Sequence, residues 1–352
     1  MRMRAAILAG VLAVVAASLA ITVPARQGSA CCDTIYAVTS SNLLRFDSTT
    51  PGIIDSTTAI TGLQAAEIVR AIDFRPATGQ LYGIGDTGQL YTIDTTTAAA
   101  TPVGAPFALV DAVNVSIDFN PTVDRIRVVS GADENFRLNP NTGAAIVPAD
   151  TNLAYDATDA NAGADPDVLA IAYTNNFAGA TVTTLFGIDN TLGILVRQGS
   201  VDSAPISPNA GTLFTIGSHG AVSAFNRVGL DVGPSGTAFA YLEGAGGVPQ
   251  LYTIDLATGT ATLVGGIASP EVIIDIAAQV VPPTPTPSSA PTAVPTASPT
   301  PAASPTPVQP AALPPTGGRG GGESDLVLVA LIGVAAALLT AGTLAYGRRR
   351  VG

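Results

Sequence analysis

Short apolar runs separated by turn-forming residues fill the chain between positions 33 and 281. The runs are rich in Ile, Val, Leu, Tyr and Phe, whereas Gly, Pro, Asn, Asp and Thr lie between them. No long stretch has the 3.6-residue period of an amphipathic helix. This pattern is typical of strands joined by tight turns, and it predicts an all-β head domain over residues 33–281.

Similar groups of runs recur within this head domain. One copy opens at residues 71–76 and another at 228–234, and both contain Gln-Leu-Tyr-Thr-Ile-Asp, at 89–94 and 250–255. Weaker copies open near Ser116 and Val168. Each of the two clearer copies predicts four short strands joined by tight turns, which is the anatomy of a β-propeller blade.

The two ends of the head domain each supply part of one further blade. Residues 35–38 and 43–47 match a second and a third strand without a first, whereas 272–276 match a first strand alone. Pairing of the first and last strands would close the ring and remove its exposed edges. We therefore predict five blades. Four or six blades stay open because residues 203–227 are ambiguous, and a β-sandwich is the alternative fold.

The N-terminus has the pattern of an export signal. Arg2 and Arg4 precede an apolar run over residues 5–22, and small residues follow at Val23 and Ala25. This order predicts a signal peptide over residues 1–25, or over 1–30 if cleavage occurs at a second run of small residues.

The C-terminal part combines a spacer, an apolar span and a basic end. Residues 282–312 carry no charge and are almost wholly Pro, Thr, Ser, Ala and Val, which predicts a disordered stalk that favours polyproline II. Residues 326–346 are apolar and uncharged, long enough for one transmembrane helix of ~31 Å. The Arg-rich tail, 347–352, is expected in the cytoplasm, which places the N-terminal head outside the cell.

A pentapeptide precedes the apolar span. It consists of Leu313, Pro314, Pro315, Thr316 and Gly317. The order of pentapeptide, apolar span and basic tail resembles the sorting signal of LPxTG-type, sortase-anchored bacterial surface proteins. The resemblance implies that a sortase attacks the Thr316 carbonyl and transfers Thr316 to an amine of the cell-wall peptidoglycan. The expected partners are thus sortase, peptidoglycan and, before sorting, the membrane. A permanently membrane-anchored structural surface protein is the alternative.

The head shows a second resemblance, over roughly residues 34–276. Its repeated QLYTID-type strands, its Asp-Phe-x-Pro strand starts and the segment Ala172-Tyr173-Thr174-Asn175 are similar to those of a family of secreted bacterial proteins of unknown function. The resemblance implies a fold and secretion, without a chemical activity.

Composition narrows the classes of function. The net charge is −11, and all 15 cationic residues are Arg. An acidic chain of this kind is unsuited to nucleic acid, which requires clustered cations. A single His and two Cys leave too few ligands for most zinc, haem or iron–sulfur sites.

An acidic loop over residues 156–167 is the candidate site for Ca²⁺. Its oxygen-bearing side chains are those of Asp156, Asp159, Asn161, Asp165 and Asp167. Alternating oxygen ligands with a Gly for the bend can wrap a hard cation, although the Glu that completes an EF-hand loop is missing. The alternative is a solvated turn, because Asp, Asn and Gly are good turn formers.

Four Asp residues recur near the starts of the predicted blades and are candidates for a central channel. They are Asp73, Asp118, Asp231 and Asp275. Together they would form a ring that binds a cation or a polar ligand. The alternative role is architectural, since a carboxylate there can accept backbone N–H groups.

No arrangement of nucleophile, base and acid in the sequence defines an enzyme class. We therefore expect the head to be a binding, adhesion or scaffold module of unknown ligand. The alternative is a metal-assisted hydrolase or lyase that uses the channel Asp residues.

Overall fold

The computed structural model describes residues 32–220, 227–243 and 247–281. These belong to the first of two units of the chain, 1–288 and 289–352. The signal peptide, the stalk, the sorting pentapeptide, the transmembrane helix and the basic tail predicted above lie outside the described residues. No helix within the described ranges is long and apolar enough to cross a membrane.

The described residues form five sheets, which are the blades of a propeller. Blade 1 joins the last described strand to the first three: β20 (Asp275–Ala278), β1 (Thr34–Val38), β2 (Asn42–Asp47) and β3 (Ile54–Ala59). Blade 2 comprises β4 (Val69–Phe74), β5 (Leu81–Gly85), β6 (Leu90–Ile93) and β7 (Ala100–Val103). Blade 3 comprises β8 (Val115–Asn120), β9 (Arg125–Ser130) and β10 (Asn135–Leu138).

The last two blades are larger. Blade 4 comprises β12 (Val168–Tyr173), β13 (Leu185–Asp189), β14 (Ile194–Gln198), β15 (Thr212–Ser218) and, parallel to β15, β11 (Ala154–Tyr155). Blade 5 comprises β16 (Val228–Val232), β17 (Ala238–Glu243), β18 (Pro249–Ile254) and β19 (Ala261–Gly266). Two short 3₁₀ turns lie between β14 and β15: Val201–Ser203 and Pro208–Ala210.

The first strands of the blades face one another around the centre. They contact in the closed order β20, β4, β8, β12, β16 and back to β20. Apolar side chains fill the space between neighbouring blades. Between blades 2 and 3, for example, Tyr82 packs edge-to-face on Phe119 with ring centroids 5.1 Å apart. The core is therefore distributed among the blade interfaces around the ring.

The predicted closure of the ring is confirmed. Strand β20 pairs antiparallel with β1, with Ile35 opposite Ala278 and Val38 opposite Asp275. The head is all-β with five blades, so the β-sandwich alternative is wrong. The strand itself starts at Asp275, three residues later than the run at 272–276 predicted. Residues 213–216, which the sequence left ambiguous, belong to β15 in blade 4.

Both described ends of the head lie side by side in blade 1. The backbone N–H of Gln279 donates to the carbonyl of Thr34 over 2.8 Å. The chain thus enters and leaves the propeller at one point.

Blade 3 departs from the four-stranded pattern. Where a fourth strand would follow β10, residues 139–153 form a loop whose ladder contact is a single bridge between Leu138 and Ala145. This loop carries Asp150, a buried carboxylate of the polar network described below.

Candidate functional site in the central channel and at the blade 3–blade 4 interface

Three of the four predicted channel residues meet at the centre of the ring. Asp73 on β4, Asp118 on β8 and Asp231 on β16 each place a carboxylate oxygen within 4.8 Å of the other two. All three are at most 2 % exposed. They occupy the same place in a repeated pattern, where an Ile or Leu precedes the Asp and an apolar residue follows it. We call Asp73, Asp118 and Asp231 the channel trio.

Asp275 is not a member of the channel trio, because it lies two residues along β20 from the level of the trio. Asp73 accepts a hydrogen bond from the N–H of Phe119, the residue after Asp118, whereas Asp231 accepts one from Ala278. Strand β20 is therefore shifted so that Ala277, not Asp275, lies at the level of the trio. On β12 the corresponding position is Ala172.

The channel trio joins neighbouring blades through backbone N–H groups. Asp73 accepts hydrogen bonds from the N–H of Phe74 on its own strand and from the N–H of Phe119 on the next blade. Each of these bonds is 2.6 Å long. Asp231 likewise accepts hydrogen bonds from the N–H groups of Val232 and Ala278, each 2.6 Å long.

The other two carboxylates make the same kind of link. Asp118 accepts from Tyr173 over 3.0 Å, and Asp275 accepts from Ile72 over 2.9 Å. The first strands do not pair with one another in a sheet. Their inward N–H groups need other acceptors, and these Asp side chains supply them.

Burial governs the protonation of these groups. It raises the pKa of Asp73 and of Asp118 well above the ordinary value, and the neighbouring carboxylates raise both further. Burial also raises the pKa of Asp231 to about 7, while its two backbone N–H donors act in the opposite direction. The pKa of Asp275 is raised for the same reason. The channel thus retains protons on carboxylates at a pH where exposed Asp residues are ionised.

A small cavity adjoins the centre of the ring on the Asp275 side. A cavity of about 40 Å³ there is lined by residues that include Arg70, Arg227 and Asp275. A cavity of this size holds a few water molecules and excludes an organic substrate. The trio could offer three oxygens to a small cation, but both oxygens of Asp73 and of Asp231 already accept N–H groups. The geometry therefore favours a role in holding the blades together.

The first half of the acidic loop is held by hydrogen bonds within the protein. Asp156 accepts from the backbone N–H of Thr158 over 2.9 Å. Asp159 accepts hydrogen bonds from the N–H and from the hydroxyl of Thr215 on β15, each 2.7 Å long. The side-chain amide of Asn161 donates to the same hydroxyl at 2.8 Å. Hydrogen bonds lower the pKa of Asp156; those to Asp159 lower its pKa although burial opposes them.

The second half of the loop has different neighbours. Asp167 accepts from the hydroxyl of Thr191 over 2.8 Å. Burial and the adjacent Asp165 raise the pKa of Asp133 to about 6. No three of the four Asp residues among the predicted calcium ligands bring carboxylate oxygens within 4.8 Å of one another. Within the described residues, only the channel trio brings three or more such ligand groups together.

A buried polar network between blades 3 and 4 was not predicted from the sequence. At its centre is Arg127 on β9, which is 2 % exposed. Its guanidinium donates to Asn135 Oδ1 over 2.8 Å, to Asn209 Oδ1 over 2.6 Å and to the carboxylate of Asp150. Its Nε also donates to the Tyr173 hydroxyl over 3.3 Å. The network thus links β9 to both β12 and the 3₁₀ turn of blade 4.

Asp150 binds a second guanidinium, that of Arg137 on β10. Arg137 Nε lies 3.0 and 2.9 Å from the two carboxylate oxygens, and its Nη2 lies 2.7 Å from Oδ1. Arg127 and Arg137 are directly opposite in the ladder between β9 and β10. Like charges in that position repel, so a shared counterion is required. The available sequence signal was the spacing of Arg125, Arg127 and Arg137, three cations within one short segment of an acidic head.

The fold and these buried clusters define a small five-bladed β-propeller that is closed by its terminal strand. The sequence of residues 42–277 matches the model of a domain of unknown function, DUF4394. The chain belongs to this family. The match spans nearly the same residues as the resemblance to secreted proteins of unknown function stated above. No curated protein matches the sequence significantly.

Three solved structures show weak overall similarity. A protein of unknown function from Bacteroides thetaiotaomicron VPI-5482 is 15 % identical with a TM-score of 0.41, over 72 % of this chain and 66 % of that one. This chain thus spans just under two thirds of the length of that protein.

The other two structures are similar at the same level. A chain of a nidogen/laminin complex is 10 % identical with a TM-score of 0.41, over 71 % of this chain and 98 % of that one. TolB from Acinetobacter baumannii is 12 % identical with a TM-score of 0.39, over 66 % of this chain and 53 % of that one. Similarity at this level gives no information about function.

Proposed function

We propose that this chain is a surface-displayed binding or scaffold module, exported and then anchored to the cell wall at Thr316. The observation that carries the proposal is the adjacency of the two ends of the head, where Gln279 bonds to Thr34. A propeller that the chain enters and leaves at one point can be carried on a single stalk with its blade loops free. The Pro- and Thr-rich segment 282–312 provides such a stalk.

The surroundings of the channel trio favour binding or scaffolding over catalysis. A metal-assisted hydrolase or lyase would need carboxylate oxygens that face a substrate. Those of Asp73 and Asp231 instead accept backbone N–H groups, and the adjacent cavity of about 40 Å³ admits only water-sized molecules. Loops on a closed ring of blades provide a platform for a partner without any chemical step.

Anchoring is tested by the C-terminus of the protein in the cell wall. Expressed in a sortase-bearing cell, the chain should appear in muramidase digests with Thr316 as its last residue, linked to a peptidoglycan fragment. The variant Thr316→Ala should be absent from the wall fraction, whereas the stalk variant Thr306→Ala should still be found in it. Mass spectrometry of the released fragments checks both. Recovery of chains that retain Arg348, Arg349 and Arg350 in the wall fraction would contradict the proposal and favour a permanent membrane anchor.

A further inference from the structure

A cavity of about 370 Å³ lies at the interface of blades 3 and 4, beside the Arg127 network. Its lining contains Arg125, Arg127 and Arg137. The head holds eight Arg against 24 acidic residues, yet none of those acidic residues is among the lining residues. The cavity therefore has the opposite sign of charge to the head as a whole. We call it the arginine cavity.

The positive charge of the arginine cavity is only partly neutralised. Asp150 is a single carboxylate shared by Arg127 and Arg137. Arg125 forms no ion pair with any carboxylate of the described residues; its Nη1 donates to the backbone carbonyl of Asp124 over 2.7 Å. The side chain of Asp124 is engaged elsewhere, with Arg75 Nε at 2.8 Å. Three cationic groups therefore face one carboxylate, which leaves an excess of two positive charges at this cavity within the described ranges.

The donors at this cavity are held in place before any ligand arrives. Arg127 is fixed by four acceptors from both blades, and Arg137 is fixed by its bidentate contact with Asp150. Guanidinium groups with remaining N–H donors suit planar or tetrahedral oxyanions, since several N–H groups point in fixed directions. Preorganised donors lose little entropy on binding, which favours affinity for a small ligand.

The rest of the lining indicates the kind of molecule that carries the anion. Hydroxyl groups of Thr122, Ser203 and Ser207 and the amide of Asn209 can bond to ligand hydroxyls. A volume of about 370 Å³ is within the range of small-molecule sites. We propose that the arginine cavity binds a small hydroxylated anion, namely a sugar acid or a sugar phosphate, with Arg125 and Arg137 contacting its oxyanion. This inference rests on the proposed binding function and names its ligand class.

The test is calorimetric titration of the full chain in a neutral detergent at physiological salt. The probes are glucuronate, glucose 6-phosphate and, as the uncharged match, glucose. We expect at least one of the two anions to bind and glucose to show no binding. The stronger of the two anions distinguishes a carboxylate ligand from a phosphate ligand. Absence of binding by both anions, or equal binding of glucose, would overturn the proposal.

Variants locate the binding. Arg125→Gln removes a cation that has no carboxylate partner, so folding should be preserved, and affinity should fall roughly tenfold or more. Arg137→Gln should lower the affinity to a similar extent. Folding should again be preserved, because Arg127 still forms its ion pair with Asp150. The control Arg45→Gln changes an exposed cation paired with Asp55 on blade 1 and should leave affinity unchanged. If Arg125→Gln and Arg137→Gln both bind the anion as the parent does, the ligand is not in this cavity. Anchoring at Thr316 is measured separately in wall digests, so either proposal can fail alone.

Discussion

Two buried clusters of titratable side chains in the head differ in their relation to the repeat. The channel trio occupies one repeated position on three blades, and its oxygens accept backbone N–H groups from the same and the next blade. The cluster of Arg127, Arg137 and Asp150 belongs to blade 3, the blade without a fourth strand, and it borders a cavity. In this head, a buried titratable group that recurs with the repeat serves the fold. A buried charge that departs from the repeat, with donors facing open space, indicates a binding site.

The largest expected effect comes from removing the strand that completes the ring. Deletion of residues 271–281 removes β20 together with Ile273, Ile274 and Ile276, all nearly fully buried. Each such side chain contributes about 1.5–3 kcal/mol, so the loss approaches the whole stability of a typical domain. We expect the cooperative unfolding transition of the head to disappear, as followed by circular dichroism.

The control for this deletion is the loss of an equally long stretch of the stalk, residues 283–293. It should leave the unfolding midpoint of the head unchanged. A β20 deletion that melts like the parent would show that closure does not hold the ring together, and the channel would then need another explanation.

A smaller effect is expected from one channel carboxylate. Both oxygens of Asp73 accept N–H groups, so Asp73→Asn turns one acceptor into a donor that faces another donor. The unfolding free energy should fall by about 1–3 kcal/mol in a denaturant titration. The control Asp94→Asn keeps its bonds, because Oδ1 alone accepts from Thr96 and Thr97. It should leave the unfolding free energy nearly unchanged, because Asp94 is a solvated turn residue. Equal effects of the two variants would contradict the blade-joining role.

The five-bladed fold could be predicted because strand period, repeat and missing strands were all visible along the chain. The incomplete copies at 35–47 and 272–276 contained the information for closure, since each lacked what the other had. The level of Asp275 could not be predicted, because a shift of two residues along β20 leaves the sequence pattern unchanged. Only the bonds to Ile72 and Ala278 reveal that shift.

The candidate sites were harder to predict than the fold. The acidic loop has the composition of a cation site, but Asp156 and Asp159 bond to turn residues and β15 instead. Turn formers and calcium ligands are the same residue types, so composition alone does not separate them. The arginine cavity depends on the register that places Arg127 opposite Arg137 and on Asp150 from a long loop. Neither is readable from local sequence.

The pH dependence of stability follows from the raised pKa values in the channel. Because the pKa of Asp231 is about 7 in the folded head, the folded state binds more protons than the unfolded state between about pH 4 and 7. Stability should therefore decrease as the pH rises through this window. Carboxylates with lowered pKa values, such as Asp94, change the stability only below about pH 4, where they become protonated. Burial lowers the pKa of His219, which works in the opposite direction below about pH 6.5. A channel variant is therefore needed to isolate the contribution of the trio.

The most direct measurement compares the unfolding free energies of the parent and of Asp118→Asn at pH 5 and pH 8, each with calcium and with a chelator. Asp118 accepts one N–H, from Tyr173, and an Asn oxygen can keep that bond while the charge beside Asp73 and Asp231 is lost. If the trio joins blades, the parent loses stability between pH 5 and pH 8. The variant should then lose less and be the more stable chain at pH 8, with or without calcium. If calcium instead stabilises the parent at pH 8 and Asp118→Asn abolishes that gain, the channel is a cation site and the trio does not serve mainly to join the blades.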